Sequence, residues 1–147
     1  MKVAVLMGSP NDQPKMAPAL EMLGQFGIEA SEHVMSAHRT PDAVVAFARA
    51  ARDNGYVAFI CGAGMAAHLA GAVAANTTLP VIGVPLSGGA LNGVDALYAT
   101  VQMPRGVPVA TVAVDGSANA AILVVEMLAI ADDVLAKRLE EFRAAWS

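Results

Sequence analysis

Five short apolar runs, each followed by a loop of small or polar residues and then by a longer helical stretch, set the limits on what this chain can become. The runs at 2–7, 28–34, 57–61, 81–84 and 109–114 read as strands. Between and after them, 12–26, 40–54, 65–76, 95–102, 119–131 and 132–146 read as helices. Several boundaries carry local chemistry. Gly27 stops the first helix. Thr40-Pro41-Asp42 offers a hydroxyl cap, a proline at the first helical position and an acid at the positive end of the dipole. Alternating strands and helices predict a parallel sheet covered on both faces. Right-handed crossovers then give an α/β fold, a three-layer αβα sandwich with a doubly wound parallel sheet.

The length of 147 residues suits one domain, 1–147, with no linker, repeat or low-complexity stretch. Its charged share is only 15%, against roughly 25% in ordinary soluble domains. Its hydrophobic share is 56%. So small a monomer has too much surface to hide that much apolar material, which predicts a homo-oligomer. The last helix bears Leu135, Leu139, Phe142 and Trp146 on one stripe. That stripe packs on its own sheet or, over 132–146, on a neighbouring subunit.

Several classes of function are disfavoured. No apolar run reaches the roughly 18 residues of a membrane span. Residues 1–7 are too short for a secretory leader and run directly into a Gly-Ser turn. Cys61 is the single cysteine, so no internal disulfide and no intrachain thiolate cluster can form. A cytoplasmic location is the expectation. The net charge of −4 speaks against nucleic acid as the main partner, yet leaves room for a phosphorylated small molecule.

In doubly wound folds ligands bind beyond the carboxyl ends of the strands, so the chemistry belongs to four loops. The first, Gly8-Ser9-Pro10-Asn11-Asp12, presents free backbone N–H groups and a hydroxyl at a helix entrance, suited to a phosphate. Asp12 suits a ribose diol, although Ser9 and Asp12 as mere helix caps explain the same residues. The second, Ser36-Ala37-His38-Arg39-Thr40-Pro41, pairs a planar guanidinium with an imidazole, a group type that takes and gives protons near neutral pH. The third, 62–71, is built of small residues that let backbone approach a ligand or another helix closely. His68 there touches ligand or braces the loop. The fourth, 85–93, is a lid or a pocket wall. Arg105 serves an anion or a subunit contact. His33 reads as structural and Cys61 as a small core residue. The three histidines lack metal-ligand spacing, so no metal is expected.

With these motifs in hand, the chain resembles the PurE family of 5-(carboxyamino)imidazole ribonucleotide mutases. The resemblance covers nearly the whole chain. It rests on Met7-Gly8-Ser9 with Asp12, on residues 36–41, on Gly62-Ala63-Gly64 with Ala66-Ala67-His68-Leu69, on Gly83-Val84-Pro85, on Leu91 with Gly93, and on residues 102–108. It implies a flavodoxin-like subunit, an octamer with sites at subunit contacts, and no metal or organic cofactor. It also implies that Ser9, Ser36 and Arg39 hold a ribonucleotide phosphate and Asp12 the ribose, with Gly8 among the substrate-binding residues. Gly62, Ala63, Gly64, Ala67, His68 and Leu69 would surround the carboxyl group being moved. His38 would be the general acid and base. Asn11, Met65, Ala70 and Gly88 depart from the usual pattern. A related branch carboxylates aminoimidazole ribonucleotide with free carbon dioxide, typically with lysine after the histidine; Arg39 and Ala67-His68-Leu69 favour the mutase branch. A non-catalytic ribonucleotide-binding subunit is the third reading.

Overall fold

Successive residues of a strand point to opposite faces, and in the first strand both faces are apolar: Val3, Val5 and Met7 enter one core, Ala4 and Leu6 the other. Such a strand belongs inside a sheet covered on both sides. The computed structural model, which describes residues 1–146, has that architecture. In chain order it runs β1 (Lys2–Met7), a 3-10 turn (Pro10–Asp12), α1 (Gln13–Gln25), β2 (Glu29–Val34), α2 (Pro41–Ala50) and β3 (Tyr56–Gly64). There follow α3 (Leu69–Ala74), β4 (Val81–Leu86), α4 (Val94–Val101), β5 (Ala110–Thr111), α5 (Ser117–Ala129) and α6 (Asp133–Ala144).

The sheet is parallel throughout, in the order β2-β1-β3-β4-β5, the flavodoxin-like order. Met16, Ala19 and Leu23 of α1, Val124 and Val125 of α5, and Leu135 and Leu139 of α6 cover one face. Val44 and Ala48 of α2, with Leu69 and Val73 of α3, cover the other. The chain leaves β1 toward one edge and returns past it toward the other, so the switch point falls between β1 and β3. Met7 stands level with Val34 on one side and Gly62 on the other. The loops after β1, β2 and β3 therefore open close to one level.

Three segments differ from expectation. Helix was expected over 65–76, but α3 starts only at Leu69. Met65 takes a left-handed φ of +50°, and tight turns (Ala67 N–H to the Met65 carbonyl, His68 N–H to the Ala66 carbonyl, both 2.9 Å) hold 65–68 as loop. β5 was expected over 109–114 but forms ladder pairs only at Ala110 and Thr111; beyond them the chain stays beside β4 through single bonds, Val112 N–H to the Gly83 carbonyl at 3.2 Å and Asp115 N–H to the Pro85 carbonyl at 2.9 Å. Thr40 does not cap α2; its hydroxyl braces Ser36 instead. Elsewhere the differences are small. β3 and β4 extend farther than expected, to Gly64 and Leu86. α2 ends at Ala50, but Asn54 still donates to the Ala50 carbonyl at 3.1 Å before Gly55 turns the chain.

Three residues of the α6 stripe, Leu135, Leu139 and Phe142, pack within their own chain, while Trp146 stays exposed. Asp132 caps the helix by accepting from Val134 N–H and Leu135 N–H at 3.0 and 3.1 Å. Leu135 and Leu139 are buried, and Phe142 meets Phe26 edge-on at 5.4 Å. Arg138 closes the end of α1 by donating to the Phe26 carbonyl at 2.6 Å. Leu135→Ala should therefore lower unfolding free energy by about 2–4 kcal/mol, read by urea denaturation, with the loss independent of protein concentration. A loss that grows on dilution would place the side chain against another subunit.

Candidate active site

A cavity of about 430 Å³ opens at the carboxyl ends of the strands, where the four loops meet. The first loop contributes Gly8, Ser9, Asn11 and Asp12. Gly8 N–H is tied to the Gly62 carbonyl at 3.3 Å, and Ser9 Oγ caps the 3-10 turn by accepting from Asn11 N–H at 3.2 Å. Asp12 stands where an N-cap would, yet its side chain makes no capping hydrogen bond. Capping thus accounts for Ser9 and not for Asp12. Burial raises the Asp12 carboxyl above its ordinary pKa, against the opposing pull of a Ser9 backbone hydrogen bond and the Lys15 charge.

The second loop braces itself. Ser36 Oγ accepts from Arg39 N–H at 3.1 Å; Thr40 Oγ1 accepts from Ser36 N–H at 3.0 Å and donates to the Ser36 carbonyl at 3.2 Å. Four consecutive residues, Ser36 to Arg39, line the cavity as a result. Arg39 is exposed, and its guanidinium has no hydrogen-bond or ion-pair partner among the described residues. A planar fork held at a cavity without an internal partner suits a phosphate.

From the third loop come Ala63, Gly64, Met65, Ala66, His68 and Leu69. His38 Nε2 and His68 Nδ1 lie 2.7 Å apart, with the rings inclined at 70°. At that distance one proton lies between the two nitrogens, so each ring fixes the tautomer of the other. His38 Nδ1 and His68 Nε2 are left without partners among the described residues, ready to face a ligand. The sequence left His68 either touching ligand or bracing the loop and did not report this direct contact, which joins side chains 30 positions apart.

Two expected site residues sit behind the lining. Ala67 is buried. Gly62 is a packing position: a Cβ there would come within 2.3 Å of Met16 Sδ. Arg105 is exposed and does not line this cavity. His33 is bound to Ser31 Oγ at 2.8 Å and lies tilted at 53° against Phe47; burial lowers its pKa, helped by Lys2 and opposed by Glu32. Burial pushes the Cys61 thiol up, so it is no nucleophile. Among the described residues no cluster of three or more His, Cys, Asp or Glu could hold a metal ion. Ser87, Gly88 and Gly89 complete the wall, and Ser87 is a residue that sequence reasoning placed only within a loop.

Fold and site together define a doubly wound α/β protein whose switch-point pocket carries a histidine pair and an arginine. The chain belongs to the AIR carboxylase family, which it matches over residues 2–147. It is 52% identical over 141 residues to the N5-carboxyaminoimidazole ribonucleotide mutase of Saccharolobus solfataricus, covering 96% of this chain and 89% of that protein. Against the N5-carboxyaminoimidazole ribonucleotide mutase of Escherichia coli K12 the identity is 49% over 146 residues, covering 98% and 86%. The crystal structure of Treponema denticola PurE superposes with a TM-score of 0.89 at 27% identity, covering 98% of this chain and 90% of that one.

A partly buried carboxylate with raised pKa costs the folded state free energy at neutral pH, and that cost disappears as pH falls and the group protonates. Asp12→Asn should therefore melt no lower than the parent at pH 7 by calorimetry, while binding a ribonucleotide more weakly by titration calorimetry. A lower melting temperature with unchanged affinity would make Asp12 a structural residue.

Proposed function

We propose that this chain is a 5-(carboxyamino)imidazole ribonucleotide mutase, converting N5-carboxyaminoimidazole ribonucleotide to 4-carboxy-5-aminoimidazole ribonucleotide in purine biosynthesis. The observation that carries the reading is the His38–His68 pair standing in one cavity with the loops around Ser9, Arg39 and Gly64. Kinship with mutases at about half identity supports it over direct carboxylation or mere binding.

In this reading Ser9, Ser36 and Arg39 take the phosphate and Asp12 the ribose hydroxyls. The N5–carboxyl bond breaks, its electron pair goes to N5, and N5 takes a proton from His38. Carbon dioxide, now free, stays beside the ring against the small residues Ala63 and Gly64. Carbon 4 attacks it and forms the new C–C bond. His38 then removes the hydrogen left on carbon 4, so the cycle consumes no net proton and no electrons. Positioning and a dry pocket carry this chemistry. His68 fixes which nitrogen of His38 meets the substrate.

The unit at work is a homo-oligomer, an octamer as the resemblance implies, in the cytoplasm. Val94, Tyr98 and Val101 support assembly, since they leave an exposed apolar stripe at steps of four and three along α4. A neighbour contact by the C-terminal segment would use the exposed Val134 of α6 and Trp146 just beyond it. No helix among the described residues is long and apolar enough to cross a membrane.

Purified protein should turn over the carbamate ribonucleotide without added bicarbonate. Turnover only of aminoimidazole ribonucleotide plus bicarbonate would make it a carboxylase. His38→Asn should keep ribonucleotide binding and lose about 10²–10⁴-fold in kcat. Arg39→Ala should weaken binding by roughly tenfold or more, the loss of one charge-assisted contact. Normal ligand affinity in that variant would remove Arg39 from the phosphate site.

A further inference from the structure

The cavity wall at Ser87, Gly88 and Gly89 has little to hold it from within. Residues 88–92 are exposed, and Gly88, Gly89 and Asn92 all have positive φ. Its anchors come from distant parts of the chain. Lys15 Nζ, on α1, donates to the Ser87 carbonyl at 2.5 Å and to Ser87 Oγ at 2.9 Å. The Asp115 carboxylate accepts from Ser87 N–H at 2.9 Å and from the Ser87 hydroxyl at 2.5 Å.

Ser87 is thus gripped between a cation and an anion through both backbone groups and its hydroxyl. Charge-assisted bonds of this kind are stronger than neutral ones. The hydroxyl proton is committed to Asp115, so Ser87 sets the position of a wall and has no proton left to offer a ligand. Neither Lys15 nor Asp115 lines the cavity. Asp115 holds its left-handed conformation with its N–H on the Pro85 carbonyl at 2.9 Å. The loop closes back on the same residue: a Cβ on Gly93 would lie 3.2 Å from Ser87 Cα. Its tip meets the third loop, where a Cβ on Gly89 would lie 3.3 Å from Met65 Cγ. The bulk of Met65 is therefore matched by the missing side chain at Gly89.

We propose that Lys15 and Asp115 are positioning residues that clamp Ser87, holding the Ser87–Gly89 wall against Met65 so that carbon dioxide stays beside the ring between its release and its recapture. The proposal rests on the mutase reading above. With the clamp loosened, the N5–carboxyl bond still breaks and N5 still takes its proton, but carbon dioxide leaves before the C–C bond forms. Aminoimidazole ribonucleotide then emerges in place of the carboxylated product.

The test uses the full chain as parent, Lys15→Met, Asp115→Asn, the double variant and Lys15→Arg. It reads amide hydrogen exchange over 87–93 and the fraction of enzyme-consumed carbamate released as aminoimidazole ribonucleotide, above an enzyme-free blank. Each charge-removing single variant should speed exchange in that segment by about tenfold and raise the uncoupled fraction several-fold, with KM within about twofold. The double variant should be no worse than the worse single, because both residues act through Ser87. Lys15→Arg, which still offers paired donors, should recover toward the parent on both readouts. Parental exchange and coupling in both single variants, or effects that simply add, would overturn the clamp. If the parent does not turn over the carbamate, the mutase reading falls, and exchange over 87–93 alone decides the clamp.

Discussion

The site depends on the parallel register of three strands. Met7 pairs across from Val34 and from Gly62, and its carbonyl accepts from Met35 N–H at 2.9 Å. Because the three strands end near one level, the loops after them begin together. A shift of one residue in β1 would turn Val3, Val5 and Met7 toward the wrong face. Each core is filled by its own side chains, Val3, Val5 and Met7 on one face and Ala4 with Leu6 on the other, so the slip would misfit both, and core packing and placement of the site are one constraint.

Above that level, the loops are braced by their own polar atoms. Thr40 spends its hydroxyl on Ser36, and Ser36 spends an acceptor on Arg39 N–H. This leaves the Arg39 guanidinium and the outer nitrogens of the histidine pair without protein partners among the described residues. Groups that a fold positions but does not satisfy are suited to a ligand. The raised Asp12 pKa is one visible cost of keeping a carboxylate in a partly buried place.

Much of this was legible in the residues. The strand-helix alternation predicted the doubly wound sheet, and Gly8-Ser9, Ser36 to Arg39 and the small-residue third loop marked the cavity. What escaped had physical reasons. Met65-Ala66-Ala67 has helical composition, but the left-handed turn at Met65 overrides propensity and delays α3. Gly62 looked like a ligand-approach glycine and proved to make room for Met16, a contact between β3 and α1 that spacing does not reveal. The His38–His68 contact and the grip on Ser87 join residues 30, 72 and 28 positions apart, and no local pattern reports such pairings.

The central claim is that an imidazole pair faces the ring of a sugar phosphate held at the ends of these strands. A crystal structure of the protein with bound 4-carboxy-5-aminoimidazole ribonucleotide tests it most directly. The account predicts phosphate against the loops at 8–12 and 36–39, and carbon 4 of the ring within about 4 Å of a His38 ring nitrogen, the reach of a proton-transfer group plus slack. Electron density for the ligand that leaves the ring remote from His38, with neighbouring subunits included, would contradict it.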